Sequence, residues 1–379
     1  MTTSTPDGFD LAPSSIEPRP AVAPPPRPGR LSTVLLTVVF LLITLAAVAV
    51  FIPLPYVVFK PGPATNTLGS LDGTPVIEVK GDTPTYPTTG ALDFTTVRIA
   101  GGPGYRVTAY DVLEGWLRSD EAVFPEHTVF PDDVSQHDVQ EENQAMMTDS
   151  QQVASAVALV ALGQKVPEEL TVAQLPQGSP AAGVLKPGDV LLTIGGDPVT
   201  NSDSVRTAVQ KVKPGQKLVI TVRRGGVDTT VTTTTGAGQD GSTVIGILLG
   251  VQYRLPVDVV VNAGQVGGPS AGMMFALGIY DKLTPGPLTG GQRIAGTGTI
   301  AADGTVGQID GIAQKMSGAR QAGATWFLAP ASNCADVTGH IPSGMRVVKV
   351  STFDGALTAV KDIASGQTSG LPSCAAAGG

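Results

Sequence analysis

The rhythm of hydrophobic and polar positions changes several times along the chain, and each change marks an element. From Leu31 to Ile52 the run LSTVLLTVVFLLITLAAVAVFI carries no charge. As a helix it would span roughly 33 Å, the thickness of a hydrocarbon core, which predicts one transmembrane helix. A Pro-rich exit, PLPYVVFKPGPATN, follows. Apolar and polar residues then alternate in PVIEVKG and GALDFTTVRI, predicting two strands. Between Tyr110 and Ala161 the period becomes helical around an acidic middle containing Asp132, Asp133, Asp138, Glu141 and Glu142.

From Val172 to Thr235 the order reads strand, turn at Pro187-Gly188, strand, helix capped near Ser202, turn at Pro214-Gly215, strand, hairpin at Gly225-Gly226 and strand. The run Val257 to Val261 predicts a buried strand. A glycine-rich loop leads from it to Ser270 and an apolar helix ending near Lys282. Next come the strand RIAGTGTIAA, a hairpin turn at Asp303-Gly304 and a helix over GIAQKMSGARQAGA.

Composition sharpens this outline. The chain has 379 residues, a net charge of -8, 47 glycines and 31 prolines, which fits two folded units joined by flexible segments. No Lys/Arg-rich block occurs, so nucleic acid is set aside as a partner. Residues 1–30 are proline-rich and too polar to bury a core, predicting a disordered tail. Arg19, Arg27 and Arg30 precede the apolar run and only Lys60 follows closely, so the positive-inside rule puts the N-terminus in the cytoplasm and the rest outside. A cleaved signal peptide is the competing reading, with Ala47-Val48-Ala49 as its small-x-small site. Cys334 and Cys374 both follow the apolar run, where an oxidising compartment would permit a disulfide holding the C-terminal tail. His127 and His137 sit among carboxylates, but no ligand spacing recurs, and neither a metal nor a cofactor is expected.

The candidate chemistry centres on Ser270 in GGPSAG. Three readings compete. The serine could cap the following helix. Gly268 to Gly272 also matches the G-x-S-x-G elbow of α/β-hydrolases, with His340 as partner, yet loop residues separate the serine from its strand and no HGGG-type segment lies upstream. The third partner is Lys315. With Ile312, Met316 and Ala319 at helical spacing, it occupies a slot on an apolar stripe. A lysine there either snorkels to water or loses its proton near neutral pH and becomes a base. Lowering its pKa from about 10.4 to about 7.5 requires roughly 4 kcal/mol.

Two resemblances narrow the choice. GSPAAGVLKPGDVLLTIGGDPV resembles a PDZ domain of the type found in bacterial envelope proteases. Such domains bind extended peptides at an open sheet edge. The resemblance implies a carboxylate-capturing loop, for which Leu162 and Gly163 are the nearest match; a glycine helix cap is the alternative. GGPSAG followed by TGTI and DGTVGQIDGIAQK resembles the proteolytic domain of Lon proteases, over about Val257 to Pro330. With the apolar helix, the chain resembles membrane-anchored, PDZ-containing Lon-like serine peptidases of bacteria. That resemblance implies Ser270 as nucleophile, Lys315 as general base and Thr297 as the lysine's hydrogen-bond partner. Gly267 and Gly268 would let a substrate chain approach. It also makes a homo-oligomer an expectation, since ring-shaped assemblies are known in the family.

The expected fold is α/β (α+β): residues 1–30 a cytoplasmic tail, 31–52 the span, 53–160 extracytoplasmic strands and a helical connector, 164–235 the PDZ domain, 242–364 the Lon-like domain, and 365–379 a C-terminal tail. The Lon-like sheet is expected to recruit strands from residues 76–100, making the PDZ unit an insertion. Two departures stand out: Gly267 replaces the acidic residue common in Lon enzymes just before GPSAG, and no G-x-x-x-x-G-K-[ST] occurs for ATP binding. The expected function is an ATP-independent, membrane-tethered serine endopeptidase acting on envelope, secreted or misfolded polypeptides, with exposed tails or extended segments as partners and one helix in lipid. The alternatives are a non-catalytic PDZ adaptor on a Lon-like scaffold and an α/β-hydrolase-type esterase.

Overall fold

The structure is a computed structural model that describes residues 1–2, 29–49, 52–131, 134–238 and 240–374. Most of the expected N-terminal tail, with Arg19 and Arg27, lies outside the described residues, as do Asp132, Asp133 and residues 375–379. The chain divides into two units, Met1–Ile52 and Pro53–Gly379. The first unit contains helix α1, Arg30–Ala49. Its stretch Arg30–Val48 has a mean hydropathy of 2.6 and is long and apolar enough to cross a membrane, a property that a signal sequence shares. Thr37 and Thr44 donate their hydroxyls to the carbonyls of Thr33 and Phe40, satisfying groups that hydrocarbon would penalise.

The second unit opens with β1, Pro53–Leu54, β2, Tyr56–Asn66, β3, Ile77–Val79, β4, Ala91–Ala100, and β5, Val107–Thr108. Helix α2, Ala109–Leu117, β6, Ala122–Pro125, and helix α3, Gln136–Ala161, follow. The Pro-rich exit expected after the apolar run is thus a long strand. Val57, Val58 and Phe59 are buried, and the register of β2 against β4 shifts between Pro61 and Ala64. Prolines lack the N–H a ladder needs, and the bulge absorbs Pro61 and Pro63 without breaking the strand. The segment read as helical throughout is interrupted by β6, which pairs with β2.

Strands β7, Glu168–Gln174, β8, Val190–Ile194, β9, Lys217–Arg224, and β10, Val227–Thr234, form an antiparallel sheet with β11, Leu248–Tyr253. The sheet order is β10-β9-β8-β7-β11. Helix α4, Ser202–Gln210, lies between β8 and β9 in the chain, and Asn201 caps it. Val172, Leu191, Ile194, Val205, Leu218 and Ile220 make this unit's own core. The sheet runs beyond Thr235, because β11 pairs along β7 from Gln174 to Glu168.

The rest of the chain supplies β12, Val259–Val261, helix α5, Gly272–Leu283, β13, Arg293–Gly296, and the hairpin β14, Thr299–Ile300, with β15, Val306–Gly307. Helix α6, Ile312–Gln321, β16, Trp326–Pro330, β17, Arg346–Val350, and helix α7, Phe353–Ser365, complete it. The main sheet has the order β17-β16-β13-β4-β2-β6, parallel from β17 to β4 and antiparallel beyond. β3 pairs with β12. Strands from both sides of the β7–β11 sheet therefore build one sheet, and the β7–β11 unit is inserted into it. Phe94 of β4 and Phe275 of α5 meet edge to face at 5.2 Å in its core. A Cys334–Cys374 disulfide closes a separation of 40 residues, which in the chain-entropy account stabilises by about 4 kcal/mol.

Candidate active site

Three segments, distant in the chain, bring Ser270, Thr297 and Lys315 together. Ser270 does not cap α5: that helix begins after Ala271 and no side chain caps it. Its backbone carbonyl is instead held twice, by Thr297 Oγ1 at 2.9 Å and by Gly298 N at 2.8 Å. Met273 N donates to Gly298 O at 3.1 Å, so the end of β13 clamps the start of α5. Gly296 is needed there, because a Cβ would lie 2.6 Å from Met274 Sδ.

Lys315 is placed by close backbone approach. Helix α6 starts after Gly311, whose φ is 68°, a left-handed conformation that glycine adopts without strain. One turn beyond the lysine, a Cβ on Gly318 would collide with the carbonyl of Gly62 in the β2 bulge. That contact seats α6 on the sheet and aims its apolar stripe inward. Lys315 is 4% exposed, so it does not snorkel to water. Its Nζ lies 2.8 Å from Ser270 Oγ and donates to Thr297 Oγ1 at 3.2 Å. Burial pushes the amine down from 10.5 to about 8, against an opposing pull from Asp310.

Hydrogen-bond arithmetic orients the amine. The single proton of the Thr297 hydroxyl goes to the Ser270 carbonyl, which leaves its oxygen as an acceptor for Nζ–H. A neutral amine then has its lone pair free to face the Ser270 hydroxyl. The N–H groups of Ser270 and Ala271 have no protein acceptor among the described residues.

Helix α3 packs against the serine loop. Gly268 N donates to Asn143 O at 2.9 Å, and Ser150 Oγ donates to Pro269 O at 3.0 Å. The position where Lon enzymes commonly carry an acid is Gly267, and a Cβ there would lie 2.7 Å from Asn143 Cβ. Helix α3 thus fills the space that a longer side chain would need.

The other candidates fall elsewhere. His340 is exposed, with Nδ1 3.1 Å from Asp336 O, and has no hydrogen bond to Ser270. β12 ends at Val261, well before Ser270, so the strand-to-serine junction of a nucleophile elbow is missing among the described residues. His137 meets Glu141 at 3.7 Å on an exposed face, and no cluster suited to a metal occurs among the described residues.

Leu162 and Gly163 close α3, which corrects their reading as a carboxylate-capturing loop. Gly163, at φ 76°, donates to Val160 O, and Gln164 donates to Leu159 O, the Schellman pattern of a helix end. Leu162 N is likewise taken by the helix, so none of these N–H groups is free for a ligand. The inserted sheet has two edge strands, β10 and β11, and the chain enters β11 through Ile245 and Gly246. The outward backbone groups of β11 have no partner among the described residues. The apolar run from Val244 to Val251 is the sequence signal for this strand.

Two segments of the chain match known families. Residues 139–235 match the PDZ domain family, and residues 251–361 match the Lon protease (S16) C-terminal proteolytic domain. Lon protease 1 of Sorangium cellulosum (strain So ce56) is 38% identical over 109 residues, covering 27% of this chain and 13% of that protein. Lon protease 2 of Bacillus subtilis (strain 168) is 33% identical over 88 residues, covering 23% of this chain and 15% of that protein. The matched part is therefore a small fraction of these curated relatives. The solved PDZ domain of the SdrC-like protein from Listeria monocytogenes is 26% identical, covers 21% of this chain and 86% of its own, and has a TM-score of 0.21. The chain thus carries a PDZ domain and a Lon-type S16 C-terminal proteolytic domain.

Proposed function

We propose that the protein is an ATP-independent serine endopeptidase, tethered to the cell membrane by α1 with its N-terminus in the cytoplasm, that cleaves envelope, secreted or misfolded polypeptides. The observation that carries this reading is the 2.8 Å approach of a buried amine of pKa about 8 to the Ser270 hydroxyl. Neutral Lys315 takes the hydroxyl proton while Oγ attacks a peptide carbonyl carbon. The oxyanion of the tetrahedral intermediate is received by the N–H groups of Ser270 and Ala271 at the start of α5. The Lys315 ammonium then protonates the leaving amine, and the C–N bond breaks to leave an acyl ester on Ser270. Water, losing a proton to the regenerated amine, hydrolyses that ester and restores the hydroxyl. Thr297 keeps Nζ on the line to Oγ throughout.

The PDZ domain supplies substrate. An extended segment or tail adds to β11 as a further strand, with backbone hydrogen bonds giving affinity and side pockets giving selectivity. The full chain in lipid nanodiscs should cleave an unstructured protein such as casein, and Ser270→Ala and Lys315→Ala should each abolish cleavage. Cleavage unchanged by either substitution refutes the assignment.

Gly267 favours a second reading, a PDZ adaptor on an inactive Lon-like scaffold, because it removes a carboxylate from beside the dyad. Peptide capture without any trapped acyl-enzyme would support that reading.

A further inference from the structure

Helix α2 has an apolar face that the fold leaves open. Tyr110, Leu113, Trp116 and Leu117 are 61%, 54%, 65% and 78% exposed, while Val112 and Gly115 on another face are buried. At about 100° per residue the four exposed side chains share one face roughly 120° wide. Single exposed apolar residues are ordinary, but four grouped on one short helix form a contact surface. Burial does not require the arrangement, since α2 is already seated: a Cβ on Gly115 would lie 2.7 Å from Val123 and 2.9 Å from Val58.

The polar residues of α2 are engaged away from this face. Asp111 bonds Thr108 in the capping box, and Glu114 pairs with Lys60 at 3.3 Å. Arg106, just before the helix, is exposed. A tryptophan and a tyrosine beside leucines is the aromatic enrichment of a membrane–water interface, and the acidic Asp111 and Glu114 are held in the contacts just described.

Chain connectivity selects lipid over a second protein. The apolar run ends at Ile52, and the two residues to Leu54 cover at most ~7 Å of extended backbone. Leu54 pairs with Val107, whose neighbour Thr108 caps α2. We propose that this face of α2 is a second membrane contact, lying at the headgroup and acyl boundary of the bilayer that α1 crosses. The proposal rests on reading α1 as an uncut span.

With α2 at the surface, the main sheet meets the bilayer through its β2–β6 side, because Val58 of β2 and Val123 of β6 pack beneath the helix. Lipid contact at two points restricts the tumbling that a single tether would allow.

The chain has two tryptophans, and Trp326 is 8% exposed beneath Arg346. The test is tryptophan emission of the full chain, with Trp326→Phe, in phosphatidylcholine/phosphatidylglycerol vesicles, alongside flotation after alkaline carbonate wash. The expected result is a chain that floats and whose Trp116 emission is shifted to the blue. Most of that emission should be lost to lipids brominated near the headgroup, with little loss to aqueous iodide. Leu113→Asp should restore iodide quenching without releasing the chain. A floating chain whose Trp116 is quenched by iodide overturns the proposal, and so does one quenched by neither agent, which would indicate a contact with a second copy. A chain that does not float overturns the anchor reading, and this proposal with it. Wild type minus Trp116→Phe gives the same readout should the Trp326 change disturb folding.

Discussion

Replacing Lys315 with methionine should stabilise the folded chain at neutral pH while abolishing turnover, which is the reverse of the usual effect of a buried substitution. The drop from 10.5 to about 8 means that the folded state disfavours the ammonium by about 3 kcal/mol. Methionine keeps most of the volume and removes the charge. Against this, the contacts to Ser270 and Thr297 are lost, about 1 kcal/mol each. The expected net gain at pH 7 is about 1 kcal/mol, or a rise in Tm of about 2 °C for a domain of this size. A typical point substitution instead loses about 1 kcal/mol. The pH dependence discriminates further. The unfolded lysine holds its proton up to 10.5 and the folded one only to about 8, so the burden on the wild type is complete below 8 and fades as pH rises toward 10.5. The advantage of the variant should therefore shrink by about 2 kcal/mol between pH 7 and pH 9.5, and reverse sign. Denaturation of the full chain in micelles, followed by circular dichroism at both pH values, reads the difference. A variant that is less stable than wild type by the same amount at both values refutes the argument that Lys315 is destabilised by burial.

Further outcomes follow from neighbouring contacts. Gly267→Asp, which restores the acid common in Lon enzymes, should lower stability by about 1–3 kcal/mol through overpacking against Asn143 and slow Ser270 acylation several-fold. Faster acylation with unchanged melting would show that helix α3 does not exclude the carboxylate. Arg293→Ala should cost about 3 kcal/mol, because Asp93 is fully buried and pairs with Arg293 at 2.6 Å. Burial already raises the Asp93 carboxyl and Arg293 opposes that rise, so the loss should be larger at pH 8 than at pH 5, where the orphaned group takes up a proton. Equal losses at the two values, measured by urea denaturation, would contradict the pairing.

Much of the candidate site is legible in the sequence because its parts carry strong local signals. The Gly-Pro frame around Ser270, the Asp303-Gly304 turn and the apolar stripe through Lys315 each follow from short-range chemistry. What the chain concealed was long-range. β2 looked like an irregular exit because Pro61 and Pro63 disguise a strand whose partners in β4 lie 27 to 42 residues away. β11 carries no short-range sign of its pairing because 74 to 85 residues of chain separate it from its partners in β7. The proximity of Asn143 to Gly267 depends on a helix more than 100 residues upstream, and no spacing in GGPSAG announces it. Periodicity recovers elements whose stabilising contacts lie within a turn or a hairpin; contacts made across an insertion leave no periodic trace.

The central claim is that an uncharged Lys315 activates Ser270. Phosphonylation by a fluorophosphonate probe, in which the serine oxygen attacks phosphorus and expels fluoride, followed by peptide mass spectrometry on the full chain across pH 6 to 9.5, tests it most directly. The label should fall on Ser270, at a rate that rises about tenfold per pH unit and levels off above about 8, and Lys315→Ala should be labelled only at background. Labelling of Ser270 at the same rate with and without the lysine, or a rate independent of pH below 8, would contradict the account.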